Sequence, residues 1–290
     1  MSEPMKNKNS ITRSEAFCPR DVRTKIGGKL LSLLQYFILL TLLIKVTTSA
    51  IAATGDLTFI DATKLSNAGR VVVSPDGKNI YAASTDKYNW GILSVYSRDE
   101  TTGKLTLIDS ETKHEDTNIG KKQAGQGSLA VSPDGNYVYM GMLTGECVLS
   151  FRRDPSTGAL DFIAIADSKF GYNGSQNINS LEVSRDGEYL YTTGAGRVGV
   201  YDVDLSTGLL TEIQGIQGNS IMLATNRSRI SPDGRHHYVS DINGNAIVVW
   251  DRDDATGLLN NYRRFENNTG GALIDGPNDI RFSPDGEFYM

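Results

Sequence analysis

Short apolar strands alternating with polar positions recur along this chain in a fixed order, and the punctuation between them is equally regular. Five stretches read as one apolar strand, a Ser-x-Asp-Gly turn and a second strand: VVVSPDGKNIYAAS, LAVSPDGNYVYMGM, LEVSRDGEYLYTTG, SRISPDGRHHYVS and DIRFSPDGEFYM. A third strand, ILSVYSRD, VLSFRRD, VGVYDVD or IVVWDRD, alternates at period two and stops on an acidic residue. A Thr-Gly pair followed by leucine and an extended run supplies a fourth strand, at Thr54-Gly55, Thr102-Gly103, Thr157-Gly158, Thr207-Gly208 and Thr256-Gly257.

The turn serines Ser74, Ser132, Ser184, Ser231 and Ser283 lie 58, 52, 47 and 52 residues apart. That interval is too long for a solenoid coil and fits the four-stranded blade of a β-propeller. The expected fold is therefore all-β: four complete blades over residues 69–107, 127–163, 179–213 and 226–262, and a fifth beginning at Asn278. In each Ser-Pro-Asp-Gly, proline presets the second turn position and glycine accepts the left-handed fourth, which predicts a type I turn with a glycine bulge. Arg185 replaces the proline once, and Asp186-Gly187 keeps the turn. Asn243-Gly244, between two apolar runs, predicts a type I′ hairpin.

Residues 1–53 differ in kind. Seven basic side chains against three acidic ones precede the apolar run LLSLLQYFILLTLLI, which gives way to TTSAIAATG. A basic region, an apolar stretch and Ala50-Ile51-Ala52 form a secretory signal, with cleavage after Ala52 or Ala53. The alternative is an uncleaved membrane anchor over residues 30–46, slightly short against the roughly 20 residues a spanning helix needs. Either way residues 54–290 are expected in the periplasm or outside the cell.

Composition narrows the partners. The chain has 34 acidic against 29 basic residues, and much of the positive charge sits in the leader, so the propeller segment is strongly acidic and no nucleic-acid partner is expected. Cys18 and Cys147 are the only cysteines, and cleavage leaves one thiol and no intrachain disulfide.

In a propeller the loops that lead into each first strand, and those between second and third strands, gather on one face around the central channel. The residues entering from that face are Arg70, Gln126, Ser128, Asn177, Asn179, Asn226, Arg227, Asn278 and Asp279. Of these, Arg70, Gln126, Asn179, Asn226, Arg227, Asn278 and Asp279 are the ligand-binding candidates, able to hold a carboxylate, a phosphate or sugar hydroxyls by convergent hydrogen bonds. The two arginines are the sharpest, because cations facing a channel are hard to explain by packing. Asp86, Lys87, Tyr88, Glu146, Asp241, Asn243 and Asn245 lie in loops on the same face. Asp241 to Asn245 lacks the sixth-place glycine and distal glutamate of a calcium loop, so no metal is expected. No cofactor motif or nucleophile elbow is present. Of the three histidines, His114 falls in a polar loop, and the adjacent His236 and His237 must point one outward and one inward.

The strand ending in SPDG, the tyrosine-rich strand after it (YAAS, YVYMG, YLYTTG, YVSD), the VYxxD-like strand and Thr-Gly-x-Leu together resemble the lactonase-type seven-bladed β-propeller family. That family includes the bacterial 6-phosphogluconolactonases and muconate-type cycloisomerases. The resemblance covers residues 54–290 and implies seven blades, so the chain is expected to be a fragment short by on the order of 115 residues at the spacing seen. Propellers close by pairing a terminal strand from one end with strands from the other, and Leu57 to Ile60, a fourth strand that precedes any first, is the expected clasp. Family members that hydrolyse lactones often carry a histidine just before the SPDG strand, where this chain has Gly-Gln-Gly, Asn-Ile-Asn, Thr-Asn-Arg and Pro-Asn-Asp. The leading expectation is therefore an exported propeller that binds a small molecule, glycan or protein through its loop face. Hydrolysis of a sugar lactone is the alternative, with Arg70 and Arg227 on anionic groups and Asp279 or His114 as the base.

Overall fold

The computed structural model describes residues 59–60, 62–63, 65, 67–85, 91–112, 127–143, 145, 147–167, 177–218, 220–267, 274–283 and 288–289. The leader, Gln126, His114, Asp86, Lys87, Tyr88 and Glu146 lie outside the described residues.

Every described regular element is a strand. The first blade is β1 (Arg70–Val73), β2 (Asn79–Thr85), β3 (Gly91–Arg98) and β4 (Leu105–Thr112), and the second is β5 (Ser128–Val131), β6 (Tyr137–Gly141), β7 (Cys147–Arg153) and β8 (Leu160–Asp167). The third comprises β9 (Ser180–Val183), β10 (Tyr189–Gly194), β11 (Arg197–Val203) and β12 (Leu210–Gln217), and the fourth β13 (Thr225–Ile230), β14 (His236–Asp241), β15 (Ala246–Arg252) and β16 (Leu259–Glu266). A two-stranded fifth sheet joins β17 (Arg281–Phe282) to β18 (Phe288–Tyr289). Each complete blade is an antiparallel meander in chain order. The inner strands β1, β5, β9 and β13 lie side by side round a common axis.

The turns carry out the chemistry their residues dictate. In the first four, glycine donates its N–H to the serine carbonyl at 2.8–2.9 Å, with φ between +72° and +83°. The serine hydroxyl donates to the aspartate at 2.5 Å and accepts the first N–H of the following strand, as in Ser132 with Asp134 and Tyr137. The acidic residues that end the third strands work the same way: Asp99, Asp154, Asp204 and Asp253 accept backbone N–H groups of the Thr-Gly turn. Hydrogen bonds from Ser156 and Ser206 hold the Asp154 and Asp204 carboxyls down at about 2.

The core is a series of layers between blades. Along β6, Tyr137 and Tyr139 pack against the third blade while Val138 and Met140 pack against the first, so period-two alternation buries one strand in two interfaces. Tyr189, Tyr191, Val239 and Trp250 join the third blade to the fourth.

Polar clasps lock each layer. Tyrosines of one blade's second strand donate to carbonyls in the next blade's Thr-Gly turn: Tyr81 to Gly158 at 3.2 Å, Tyr137 to Leu205 at 3.2 Å, Tyr189 to Ala255 and Tyr191 to Gly257 at 2.8 Å. A side chain at Gly257, where φ is +68°, would stand 2.2 Å from the Tyr189 ring, so the turn needs glycine for two reasons at once. At the rim, buried Arg153 ends the second blade's third strand and donates to Asp76 of the first blade's turn at 2.7 Å and to Asn79 at 2.7 Å. Arg252 faces Asp186 at 3.6 Å, an ion pair too long for a hydrogen bond. The turn aspartates are thus joints between blades as well as hairpin formers.

Two expectations are corrected. Asn243-Gly244 is not a type I′ turn: Asp241 pairs with Ala246 across a four-residue loop in which only Asn245 has positive φ, at 46°. The fully buried Asp241 carboxylate overrides the local preference by accepting from the N–H groups of Leu223, Ala224 and Gly244 and from Arg264. Of the expected clasp, Phe59 and Ile60 lie outside any strand, and Leu57 and Thr58 lie outside the described residues.

Arg153→Met keeps the apolar stem and removes the clasp, and should cost about 2–3 kcal/mol of stability by urea unfolding at pH 7. Arg98→Met, which loses only a 3.3 Å bond to the Gly77 carbonyl, should cost less than about 1 kcal/mol. A second expectation concerns His237, which is fully buried and stacked on Tyr191 at 5.0 Å. Burial, with help from the Arg252 charge, pushes its imidazole down to about 3 from 6.5. The unfolded chain takes up this proton near 6.5 and the folded chain does not, so the stability His237 provides is complete above 6.5 and is lost as pH falls toward 3. Melting temperatures across that window should fall less for His237→Phe than for the native chain, and the difference between the curves isolates this residue.

Candidate functional site

Counting back from each turn serine gives the axis. Four residues before it stand Arg70, Ser128, Ser180, Arg227 and Asp279, and two before it stand Val72, Ala130, Glu182, Arg229 and Arg281. Strand alternation puts both sets on the same side of the inner strands. They run along the axis in two successive layers, and Arg70, Ser128, Ser180, Arg227, Arg229 and Arg281 among others line a cavity of about 250 Å³, with Asp279 at its edge through its ion pair with Arg281. A second cavity of about 420 Å³ continues it, shares Arg229 and Arg281, and adds Glu182.

In the first layer, Arg70 from the first blade and Arg227 from the fourth meet on one carbonyl of the third, that of Asn179, at 3.5 and 2.9 Å. Among the described residues Arg70 has no carboxylate within ion-pair distance. Burial lowers the proton affinity of both guanidinium groups, and in Arg227 the nearby charge of Arg70 lowers it further. Two cations held this close in a half-buried site attract an anion. Asn179 spends its own amide on the Thr225 carbonyl at 3.0 Å, which ties the third blade to the fourth.

The second layer holds Glu182 against Arg229 at 3.3 Å. The Glu182 side chain is half-buried, 26% exposed, and its partial desolvation pushes the carboxyl up to about 7, outweighing the pull of Arg229. Asp279 stands 2.9 Å from Arg281, 3.9 Å from Arg229 and 4.0 Å from Arg227. Four guanidinium groups thus face two carboxyl groups in an otherwise acidic protein, and one of those carboxyls is poised near neutrality.

Of the residues singled out in the sequence, the structure brings Arg70, Asn179, Arg227 and Asp279 together. Asn226 and Asn278 hydrogen-bond to each other at the exposed rim and bridge the fourth and fifth blades. Asp241 is committed to its loop, and His236 sits on the blade surface 3.6 Å from Asp251. The sequence reading missed Glu182, Arg229 and Arg281, which period two would have reached by stepping one alternation inward from the first layer.

Antiparallel four-stranded blades round a charged axial channel define a β-propeller. The sequence matches the profile of the family "Lactonase, 7-bladed beta-propeller" over residues 45–169 and again over 94–225. These stretches cover more than half of the chain, which therefore belongs to that family. A protein from Lactobacillus plantarum superposes with a TM-score of 0.65 at 21% identity, covering 83% of this chain and 67% of its own. A candidate 6-phosphogluconolactonase from Bacteroides uniformis gives 0.63 at 20% identity, covering 78% and 64%. An auxiliary nutrient binding protein from Bacteroides thetaiotaomicron gives 0.53 at 14%, covering 78% and 57%. The chain thus spans about two thirds of the length of the first two. At these identities the likeness is one of fold, which hydrolases and binders share.

Proposed function

We propose that the channel hydrolyses a lactone of the carbohydrate class, with Glu182 as general base and Arg227 and Arg229 on the oxyanion. The observation that carries this reading is the Glu182 carboxyl at about 7 amid guanidinium groups. A base poised there is half ionised at neutral pH and still basic enough to take a proton from water. Simple anion binding needs the arginines but gives no reason for a desolvated carboxyl among them. This favours hydrolysis over the purely binding propeller expected from sequence, and Glu182 takes the place offered to Asp279 or His114.

The Glu182 carboxylate removes a proton from water while the water oxygen bonds to the ring carbonyl carbon. The carbonyl π electrons move to oxygen, and the guanidinium charge stabilises them. Collapse re-forms the carbonyl and breaks the ring C–O bond, and the departing oxygen takes the proton back from Glu182. The product is an open hydroxy acid. Family membership supports the reaction class, and the leader composition supports its location in the periplasm or outside the cell.

A panel of sugar lactones tests this. Turnover should rise with pH through about 7, as the base form of Glu182 appears, and then level off. Glu182→Gln should lower kcat by about 10²–10⁴-fold with KM little changed. No turnover of any lactone by the folded native protein would overturn the catalytic reading and leave a binding propeller.

A further inference from the structure

We propose that Asp279 is a built-in counter-ion that determines which anions the channel accepts, admitting a singly charged carboxylate and disfavouring a doubly charged phosphate. The inference rests on the channel being the ligand site, and does not depend on hydrolysis occurring there.

Asp279 is fixed in place rather than free to swing. One carboxylate oxygen accepts the N–H of Ile280 at 2.9 Å, and the neighbouring Asn278 is pinned to Asn226 of the fourth blade. From that position its other oxygen makes a close ion pair with Arg281 at 2.9 Å. The contacts to Arg229 and Arg227, at 3.9 and 4.0 Å, differ in kind. They are within range for Coulomb attraction and too long for hydrogen bonds. Asp279 therefore supplies negative charge to these two guanidinium groups without using their donors on that side. Its field also reaches Arg70, whose proton affinity it helps to sustain.

A ligand oxygen can take up those donors with Asp279 still in place. A monoanion brings one charge into a ring that remains net positive. A dianion brings a second charge close to a fixed, 40% exposed carboxylate, and that repulsion is strongest at low ionic strength. The arginines make the channel anion-binding and Asp279 sets how much negative charge it tolerates. The open-chain product of a sugar lactone carries a single carboxylate and fits this limit.

Isothermal titration at pH 7.5 with gluconate and with inorganic phosphate tests the proposal on the native protein and on Asp279→Asn, which keeps the shape and removes the charge. The native protein should bind gluconate at least about tenfold more tightly than phosphate, and Asp279→Asn should gain about tenfold for phosphate with gluconate changed by less than about threefold. Arg227→Ala should lose both ligands. Phosphate affinity unchanged or weakened in Asp279→Asn would overturn the role of Asp279, and full binding by Arg227→Ala would overturn the location. Lactone turnover is a separate readout, so its absence would count against hydrolysis while these affinities still decide the role of Asp279.

Discussion

A single four-stranded sheet in water has two apolar faces and nothing to cover them, and this chain meets that demand by packing each blade against the next in sequence. The geometry of the axis follows from that arrangement. On the inner strands, Leu129 with Val131 and Leu181 with Val183 turn toward the preceding blade and are covered by it. The corresponding Val71 and Val73 of the first blade are 58% and 52% exposed. Alternation leaves the intervening positions for the channel, and those positions hold the arginines, Glu182 and Asp279.

The clasps explain how such a stack keeps its register. Apolar packing alone tolerates sliding, whereas a tyrosine hydroxyl on one carbonyl and an arginine on one carboxylate do not. The pattern is not uniform. Val203 occupies the position of Arg153 and Arg252, so the joint between the second and third blades relies on the Tyr137 bond, on the bonds of Ile178 with Ser128 and Met142, and on packing, and Asp134 turns to its own blade through Asn136.

The fold was legible because its signals are local. A Ser-x-Asp-Gly turn reports a left-handed glycine wherever it stands, and strand alternation needs no knowledge of the partner. Arg70 and Arg227 were legible as well, since a cation entering a crowded axis has no packing role. Glu182 was not: in LEVSRDG it reads as an ordinary polar position on a half-buried strand, and its significance depends on Arg229, 47 residues later, arriving beside it. The Asp241 loop misled for a related reason, because a buried carboxylate collecting three backbone N–H groups outweighs a two-residue turn preference. Long-range electrostatics is what a repeat pattern cannot express.

Glu182 sits half-buried among guanidinium groups instead of solvated on a strand, and the chemistry of the channel depends on that. Its carboxyl titration can be followed directly by carbon-13 NMR of glutamate-labelled protein, with the resonance assigned by its loss in Glu182→Gln. A midpoint near 7 is the result the channel geometry predicts. A midpoint at the ordinary value of about 4.5 would mean that water reaches this carboxyl freely, and would contradict the channel as described.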